Sequence, residues 1–337
     1  MASVDVVVPC YKYGRYLRDC VQSVLAQQGV DVRVLIIDDC SPDNTPEVAQ
    51  QLCDEDSRVE YRRHAENKGH IATYNEGLLG WASADACLLL SADDILAPGA
   101  LARAAACLAV DPSISFVYGE CIDFSDDALP SFSASTEIEF EFEQISGEDF
   151  IRSMCQTATN FVPTPTSIVR TSIQHQVGGY SPELPHAGDM EMWLRLAACG
   201  NVRSLKTVQA CYRRHGSNMS TTSPFGSLPD IVQRYQAISA ILRSHAHVFE
   251  NVESLQQQAK KVLSQNALNS AHHAFDQADI AECKRLLRIS SNLAPSSCRS
   301  TPYLKLMVKC LLGTSTWQAL NRLGSACFSQ RPSTNRT

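Results

Sequence analysis

Residues 4–39 read VDVVVPCYKYGRYLRDCVQSVLAQQGVDVRVLIIDD, with a short apolar run near each end and a helical stretch between them. The two runs, Val4 to Val8 and Val32 to Ile37, are rich in β-branched residues, which favour strands. The stretch from Tyr16 to Gln27 is typical of a helix. A strand, a helix and a second strand in this order predict a βαβ unit, in which the two strands run parallel.

The same alternation continues as far as Leu108. Further strands are predicted at Val59 to Arg62 and Ala86 to Leu90, and further helices at Thr45 to Cys53, Ile71 to Trp81 and Gly99 to Leu108. This pattern predicts an α/β fold with a mostly parallel sheet flanked by helices. Ligands bind such sheets at the carboxyl ends of the strands, so the polar residues that follow the strands are the first candidates for a site.

The charge of the chain is unevenly distributed. The 337 residues carry a net charge of -7, which argues against a general nucleic-acid-binding protein because that function needs a basic surface. Residues 1–282 hold 20 Lys and Arg and 36 Asp and Glu, whereas residues 283–337 hold nine basic residues and no acidic one. An acidic body is therefore followed by a cationic tail.

Two features of the sequence indicate a cytoplasmic protein. The apolar segment after Met1 is short and contains Asp5, which is unlike a signal peptide, and no run reaches the roughly 20 apolar residues that span a bilayer. The 14 cysteines are scattered from Cys10 to Cys327 without a CxxC pair, a pattern more typical of reduced core cysteines than of a disulfide framework.

The second half of the chain is less regular. From Asp123 to Asp149 it is acidic and contains the alternating segment EIEFEFE at residues 137–143, which predicts a loop with an edge strand. A second structured stretch is predicted from Phe161 to about Met219. Beyond Asp230 the sequence becomes helical through Leu287.

Polar residues follow the predicted strands at four places. They are Pro9-Cys10-Tyr11, Asp38-Asp39, Glu66-Asn67-Lys68-Gly69 and Ser91-Ala92-Asp93-Asp94. Tyr11 offers a flat face to a nucleobase, and Asp39 can accept hydrogen bonds from a base N–H or a ribose hydroxyl. Adjacent carboxylates such as Asp93 and Asp94 suit a hard divalent cation that also binds diphosphate oxygens. The simpler interpretation is that Asp93 and Asp94 start the helix after Pro98.

Two further segments carry candidate chemistry. In HAGDMEMWLRL, residues 186–196, Asp189 enters a helix whose apolar face includes Met192 and Leu196, and it can be a general base or an ordinary N-cap. Glu191 is the next candidate for the base. In YRRHGSNMS, residues 212–220, His215 can ligate a metal and the two arginines can pair with phosphate.

Taken together and in this order, these segments resemble the family 2 glycosyltransferases of the GT-A fold, over roughly residues 3–220. The matching stretches are VVVPCYKYGRYLRDCVQSVLAQ, VLIIDDCSPDNT, ENKGHIATYNEGL, LLLSADDIL, the run from Pro165 to Tyr180, GDMEMWLRLA and YRRHGSNMS. Two positions depart from the family pattern. Ser91 stands where the first acid of the DxD motif is found, and Tyr74 stands where an arginine often precedes the asparagine.

The resemblance implies a role for each matching residue. Pro9 and Tyr11 line the nucleobase pocket, Asp39 binds the base or ribose, and Asn67 and Gly69 border the nucleotide. For the acidic pair it implies that one of Asp93 and Asp94 contacts the ribose or the metal and that the other binds the metal, without fixing which is which. For the second half it implies that His215 contacts the metal or diphosphate and that Asp189 is the catalytic base. It also implies a GT-A type, Rossmann-like catalytic domain at 1–225, with a nucleotide-binding half at about 1–120 and an acceptor half at about 121–225. A helical C-terminal region with a basic tail follows at 226–337.

The function that the resemblance implies is inverting transfer of a sugar from a nucleotide diphosphate donor, with uridine the favoured base, to an acceptor hydroxyl in glycan assembly. The implied cofactor is Mn²⁺ or Mg²⁺, and the implied partners are the donor and a glycan or lipid-linked acceptor, with no nucleic acid. One alternative is a catalytically silent nucleotide- or glycan-binding module on the same fold. A nucleotidyltransferase is disfavoured because PCYKYGRYL, residues 9–17, lacks a Gly-rich, basic loop for a triphosphate.

The tail supports a separate expectation. From Tyr303 to Phe328 it combines apolar residues with lysine and arginine, and such a basic amphipathic segment can lie on an anionic membrane surface. We therefore expect peripheral contact with the inner face of the membrane. The alternative is a helix that packs on the catalytic domain with its lysines in solvent.

Overall fold

The computed structural model of the chain describes residues 1–125, 129–132, 140–218 and 225–317. Within these ranges the strands form one sheet. They are β1 (Ser3–Cys10), β2 (Asp31–Asp38), β3 (Val59–Arg63), β4 (Ala86–Leu89), β5 (Ile95–Leu96), β6 (Ile114–Ser125), β7 (Phe142–Ile145), β8 (Ile168–Arg170) and β9 (Asn201–Arg214).

Helices separate most of the strands in the first half, and helices alone make up the end of the described chain. They are α1 (Gly14–Leu25), α2 (Thr45–Glu55), α3 (His70–Gly80), α4 (Ala100–Val110), α5 (Gly147–Thr157), α6 (Thr171–Val177), α7 (Gly188–Ala197), α8 (Leu228–Ser244), α9 (Val252–Asp276), α10 (Ile280–Leu293) and α11 (Thr301–Leu312). Short 3₁₀ helices lie at Thr164–Thr166 and Pro295–Arg299. The predicted helical C-terminal region is confirmed over its described part.

The strand order is β3-β2-β1-β4-β8-β6-β9-β5, and β7 pairs with β9. Strands β1 to β4 pair in parallel, as the sequence predicts. The second half makes the sheet mixed, because β8 lies antiparallel between β4 and β6, and β5 and β7 lie antiparallel to β9. The parallel pairing that the sequence predicts is therefore found in the first four strands and again between β6 and β9, and the antiparallel pairs of β5, β7 and β8 make the rest of the sheet mixed.

Each face of the sheet is covered by its own layer of helices. In β1 the side chains of Val4, Val6 and Val8 pack with residues of α1 and α4, whereas Val7 packs on the opposite face with residues of α3, α5 and α7. A strand that is buried on both faces reads as a continuous apolar run, which is why residues 4–8 are informative in the sequence. Helices α8, α9 and α10 extend the second layer, so the C-terminal helices share its hydrophobic core.

Other expectations fall partly outside the described residues. Residues 126–128 and 133–139 lie outside them, including residues 137–139 of the predicted edge strand at 137–143, and the strand that is described there, β7, begins at Phe142. The domain boundary at residue 225 stays a prediction. The 13 cysteines of the described ranges are free, in agreement with reduced cysteines. In the same ranges, no helix is long and apolar enough to cross a membrane.

One buried charge anchors the start of the sheet. The side chain of Asp5 in β1 is fully buried and accepts hydrogen bonds from Arg33 Nε and Nη2, at 2.9 and 2.7 Å. It also accepts from the backbone N–H groups of Ser83 and Ala84, at 2.7 and 2.9 Å. These contacts tie the loop before β4 to β1 and β2.

We expect Asp5→Ala to lower the free energy of unfolding by about 3 kcal/mol, because it leaves a guanidinium and two backbone donors without their acceptor. Urea unfolding followed by circular dichroism measures the change. The control is Asp31→Ala on the exposed end of β2, for which a loss below about 0.5 kcal/mol is expected. Equal losses in the two variants would contradict the anchoring role.

Candidate active site

The predicted site residues of the first half meet at the carboxyl ends of β1, β2 and β4. Strands β1 and β2 end in register, with Cys10 opposite Asp38. The backbone N–H of Asp39 donates to the carbonyl of Cys10 at 2.9 Å, so Asp39 and Tyr11 follow neighbouring strand ends. The side chain of Tyr11 is 40% exposed, and Pro9 is partly buried at the end of β1.

The carboxylate of Asp39 is surrounded by the loop after β3. Its Oδ1 accepts hydrogen bonds from His64 Nδ1 and from the backbone N–H of Lys68, both at 2.7 Å. Its Oδ2 accepts from the backbone N–H of Gly69 at 2.8 Å, and Asn67 Nδ2 donates to the Asp39 carbonyl at 3.1 Å. The structure therefore brings the three predicted nucleotide-site residues Asp39, Asn67 and Gly69 into direct contact.

His64 is a member of this cluster that sequence reasoning missed. Its ring is buried, and its Nε2 lies 3.0 Å from Glu76 Oε2 on α3. Lys68 Nζ lies 3.4 Å from the same oxygen. A lone histidine after a strand carries no periodic signal, so nothing in the sequence alone distinguishes His64 from a surface histidine.

Asp93 and Asp94 lie in the turn after β4 and contact residues near the end of β9. Asp93 Oδ2 is 3.0 Å from His215 Nε2 and accepts a hydrogen bond from Asn218 Nδ2 at 3.3 Å. Asp94 Oδ1 accepts from the backbone N–H of Arg213 at 3.1 Å. Both carboxylates are nearly inaccessible to solvent, at 4% and 1% exposure.

The alternative that the acidic pair caps a helix does not hold. Helix α4 begins at Ala100, and its N-cap is Gly99, which has a left-handed backbone conformation with a φ of 73°. Asp93 and Asp94 precede this cap by several residues and are instead bonded to β9 and the turn after it. Their position is therefore set by long-range contacts.

Aromatic side chains hold His215 in place. Its ring stacks on Tyr16 of α1 with 4.9 Å between centroids, and Tyr13 meets it edge-on at 5.3 Å. The hydroxyl of Tyr13 donates to the carbonyl of Ser217 at 2.9 Å. Tyr13 and Tyr16 were not predicted as site residues, although they follow Tyr11 closely in the sequence.

The two predicted phosphate-binding arginines each pair with groups of the protein itself. Arg213 is buried; its Nε donates to the Asp93 carbonyl at 2.9 Å and its Nη2 to Asp19 at 3.3 Å. Arg214 is exposed and forms an ion pair with Asp123 at 3.0 Å. Arg213 therefore stabilises the loop that carries the acidic pair.

Burial raises the pKa of both acids. For Asp93 the hydrogen bond from His215 opposes the effect of burial, but the pKa stays above its usual value. For Asp94 the negative charge of Asp93 adds to the effect of burial and raises the pKa well above the usual range. Two adjacent buried carboxylates repel each other, and a bound cation removes that repulsion.

The donor set fits a divalent cation in part. Asp93, Asp94 and His215 bring two carboxylates and an imidazole together, and Mn²⁺ binds both groups. In the part of the chain that the structure describes, however, no three His, Cys, Asp or Glu side chains are arranged to hold a metal ion by themselves. Mg²⁺ is commonly held by one or two carboxylates together with substrate phosphates, so an incomplete protein ligand set is compatible with such an ion.

Asp189 lies in the first turn of α7, but it is not the N-cap, a position that Ala187 occupies without a side-chain hydrogen bond. The hydroxyl of Thr164, in the 3₁₀ helix before β8, donates to Asp189 Oδ2 at 2.7 Å. Burial raises the pKa of Asp189, and the hydrogen bond from Thr164 and the nearby His70 counteract part of the rise. The alternative base, Glu191, is held by Arg195 through two hydrogen bonds of 2.7 and 2.8 Å.

Tyr74 packs among aromatic rings, and its hydroxyl is affected by the charges of two acidic residues. Its ring meets those of His70 and Tyr180 edge-on, each with 5.4 Å between centroids. Burial and the negative charges of Asp189 and Asp93, in that order, raise the pKa of the Tyr74 hydroxyl. The charges of both Asp189 and Asp93 therefore reach the Tyr74 hydroxyl.

Comparison with known proteins gives the family. Residues 5–174, just over half of the chain, match the profile described as "Glycosyl transferase family 2". The chain therefore belongs to glycosyl transferase family 2. The match covers Pro9 through Asp94 but ends before Asp189 and His215, so the assignment of these two residues depends on their contacts in this chain.

Two of the relatives by sequence carry the names of glycan-forming enzymes. The chain is 26% identical over 219 residues to chondroitin synthase of Pasteurella multocida (strain Pm70), a match that covers 64% of this chain and 21% of that protein. It is 28% identical over 160 residues to GalNAc(5)-diNAcBac-PP-undecaprenol beta-1,3-glucosyltransferase of Campylobacter jejuni, a match that covers 44% of this chain and 51% of that protein. The match to the synthase thus spans only about a fifth of its length.

Solved structures confirm the fold. S. aureus TarS residues 1-349 in complex with UDP-GlcNAc has a TM-score of 0.61 at 17% identity, covering 96% of this chain and 92% of that one. Mannosyltransferase PcManGT from Pyrobaculum calidifontis in complex with GDP-Man and Mn2+ has a TM-score of 0.51 at 17% identity, covering 91% of this chain and 86% of that one. The chain therefore has the GT-A fold with a helical C-terminal region.

We expect Asp94→Asn to raise the free energy of unfolding of the metal-free protein by about 1 kcal/mol at pH 7. A carboxyl with a raised folded pKa destabilises the fold once the pH exceeds its unfolded pKa, and the amide removes that charge while its oxygen can still accept from Arg213. Chemical unfolding in EDTA measures the change. Asp19→Asn, which removes the negative charge opposite buried Arg213, should lower stability; a loss in both variants would contradict this interpretation.

Proposed function

We propose that this protein is an inverting glycosyltransferase that moves a sugar from a nucleotide diphosphate donor, most simply a UDP-sugar, to an acceptor hydroxyl during assembly of a polysaccharide, glycolipid or other glycan. The observation that carries the proposal is a buried acidic pair bonded to His215 together with a separate, partly buried carboxylate, Asp189, bonded to Thr164, with the charges of both Asp93 and Asp189 acting on Tyr74. A transferase needs these two functions, one for the leaving diphosphate and one for the attacking hydroxyl.

The donor occupies the ends of β1, β2 and β4 in this proposal. The exposed ring of Tyr11 stacks with the base beside Pro9, and Asp39 accepts a hydrogen bond from the base or ribose. Asn67 and Gly69 border the nucleotide, and Asp93 contacts its ribose or the metal. TarS in complex with UDP-GlcNAc and PcManGT in complex with GDP-Man support a nucleotide-sugar donor in general.

Asp93, Asp94 and His215 would hold a Mn²⁺ or Mg²⁺ ion together with the diphosphate. Such an ion supplies positive charge that stabilises the leaving diphosphate. The residues themselves fix where the diphosphate lies, because Arg213 and the rings of Tyr13 and Tyr16 immobilise the acidic pair and the imidazole. The PcManGT complex, which contains Mn2+, supports the choice of metal.

Asp189 is the proposed base on the acceptor side. It takes the proton of the acceptor hydroxyl, which attacks the anomeric carbon from the face opposite the diphosphate. A single displacement of this kind inverts the anomeric configuration and needs no protein nucleophile. A raised pKa brings a carboxylate closer to the value that suits a base at neutral pH.

Nucleotide binding tests the donor site. We expect UDP with Mn²⁺ to raise the melting temperature of the purified protein, because a ligand at 100 times its dissociation constant adds about 2.7 kcal/mol of stability. GDP and dTDP, each with and without Mn²⁺, serve as comparisons. The Asp93→Asn/Asp94→Asn variant should lose the metal-dependent shift, and folded wild-type protein that shifts with no nucleotide would point to a silent glycan-binding module instead.

The base assignment predicts a pH effect. The ionised form of Asp189 is the active one, so the rate falls as the pH drops through its raised pKa. Removing the donor that favours the ionised form, in Thr164→Val, should move this acid limb to higher pH by about one unit. The measurement is the pH profile of kcat/KM, with Thr159→Val as a control because the Thr159 hydroxyl donates to the Thr157 carbonyl.

The same assignment predicts that Asp189→Asn lowers kcat by about 10²- to 10⁴-fold while UDP binding is preserved. Near-normal turnover of this variant would exclude Asp189 as the base. The bidentate contact of Glu191 with Arg195 makes Glu191 a poor replacement.

We also propose that α11 contacts the inner, anionic face of a membrane. Leu304, Met307, Val308 and Leu311 follow helical spacing and are 52%, 43%, 49% and 82% exposed, with exposed Lys305 beside them. Residues 318–328 of the predicted membrane segment lie outside the described residues. The name of the Campylobacter relative includes undecaprenol, which supports a lipid-linked acceptor.

Sedimentation with phosphatidylglycerol vesicles tests this contact. We expect the full chain to pellet, and Leu304→Ser/Leu311→Ser to remain in solution because apolar area is lost from the helix face. Val110→Ser, at an apolar side chain that is 74% exposed on α4, is the control. Failure of the wild-type protein to pellet would remove the membrane proposal and leave the transferase proposal intact.

A further inference from the structure

The ring of His64 is held between two carboxylates. Nδ1 lies 2.7 Å from Asp39 Oδ1 and Nε2 lies 3.0 Å from Glu76 Oε2, and only 4% of the side chain is exposed. Although burial raises it, the pKa of Glu76 ends below its usual value because of its contacts with His64 and Lys68. An ionised carboxylate only accepts hydrogen bonds, so Nδ1 is the donor in the contact with Asp39.

The contacts of Asp39 leave it little capacity for a ligand. An ionised carboxylate has about four positions at which it accepts hydrogen bonds. His64 Nδ1 and the N–H of Lys68 fill both positions on Oδ1, and the N–H of Gly69 fills one on Oδ2. One position, on Oδ2, remains for a bound nucleotide.

A single acceptor position distinguishes between bases. Uracil and thymine present one donor, N3–H, between two carbonyl oxygens. Guanine presents N1–H and the 2-amino group side by side, and this pair is matched only by both oxygens of a carboxylate. A buried donor that is left without a partner weakens binding, so a site with one free position discriminates against guanine.

We propose that His64 is a specificity-determining residue that disfavours a guanosine diphosphate sugar relative to a uridine or thymidine diphosphate sugar, by occupying the position on Asp39 Oδ1 that guanine requires. The inference rests on the proposed function, in which Asp39 faces the nucleobase. Glu76 is a positioning residue, because its contact with Nε2 turns Nδ1 towards Asp39. The backbone N–H of His64 donates to the Asp38 carbonyl at 2.9 Å and fixes the residue beside β2.

Calorimetric titration with UDP and GDP, in the presence of Mn²⁺, tests the proposal. Wild-type protein should bind UDP at least about tenfold more tightly than GDP. His64→Phe preserves the ring volume but removes the donor, so a second position opens on Asp39 and the preference should fall about tenfold. His64→Gln retains an amide N–H that can reach Asp39, and it should restore most of the preference.

Two further proteins separate selectivity from a general loss of structure. His64→Phe alone leaves the carboxylate of Glu76 without its partner, and the double variant His64→Phe/Glu76→Gln removes that unpaired charge. If the single variant does not fold, the double variant should show the same reduced preference for UDP over GDP. His175→Gln, whose ring nitrogen contacts the Leu78 carbonyl, should behave as wild type. A structural defect alone would weaken UDP and GDP equally.

The outcomes distinguish this inference from the proposed function. If folded wild-type protein binds no nucleotide, the proposed donor site fails and the inference fails with it. If wild-type protein binds UDP but prefers GDP or binds both equally, only the inference is overturned. The inference alone is also overturned if His64→Phe and His64→Phe/Glu76→Gln keep the wild-type ratio of UDP to GDP affinity.

Discussion

The contact between His215 Nε2 and Asp93 Oδ2, at 3.0 Å, joins two parts of the chain that are 122 positions apart. It connects the turn after β4, in the parallel half of the sheet, to the end of β9, in the mixed half. The buried Arg213 and the rings of Tyr13 and Tyr16 support the same junction. Asp93 and Asp94 are adjacent and buried, so the repulsion between them lowers the stability of the fold. The contacts of this network hold them together nevertheless, and such a loss of stability is typical of functional sites.

Much of the first half of the fold could be predicted from the sequence. Strands β1, β2 and β4 are largely buried on both faces and read as apolar runs, interrupted by Asp5 in β1 and Arg33 in β2, and the helices between them have clear spacing. Strands β5 and β8 could not be predicted, because they are only two and three residues long and are defined by their partners. Their antiparallel insertion is what makes the sheet mixed.

The candidate site, like the fold, could be predicted from the sequence only in part. Tyr11, Asp39 and the acidic pair follow strands directly, so the general rule for α/β sheets locates them. His64, Tyr13 and Thr164 were missed, since each is an isolated residue whose importance comes from a partner that is distant in sequence, as Thr164 is from Asp189. The contacts also changed the interpretation of two candidates: Arg213 is an internal support, and Glu191 is paired with Arg195.

The most direct test of the account is the location of the metal in crystals grown with UDP and Mn²⁺, determined by anomalous diffraction at the manganese absorption edge. The account predicts one peak beside the carboxylates of Asp93 and Asp94 and the imidazole of His215, with the diphosphate bound to it and the base at Asp39. A well-occupied UDP whose diphosphate and metal lie away from the acidic pair would contradict it.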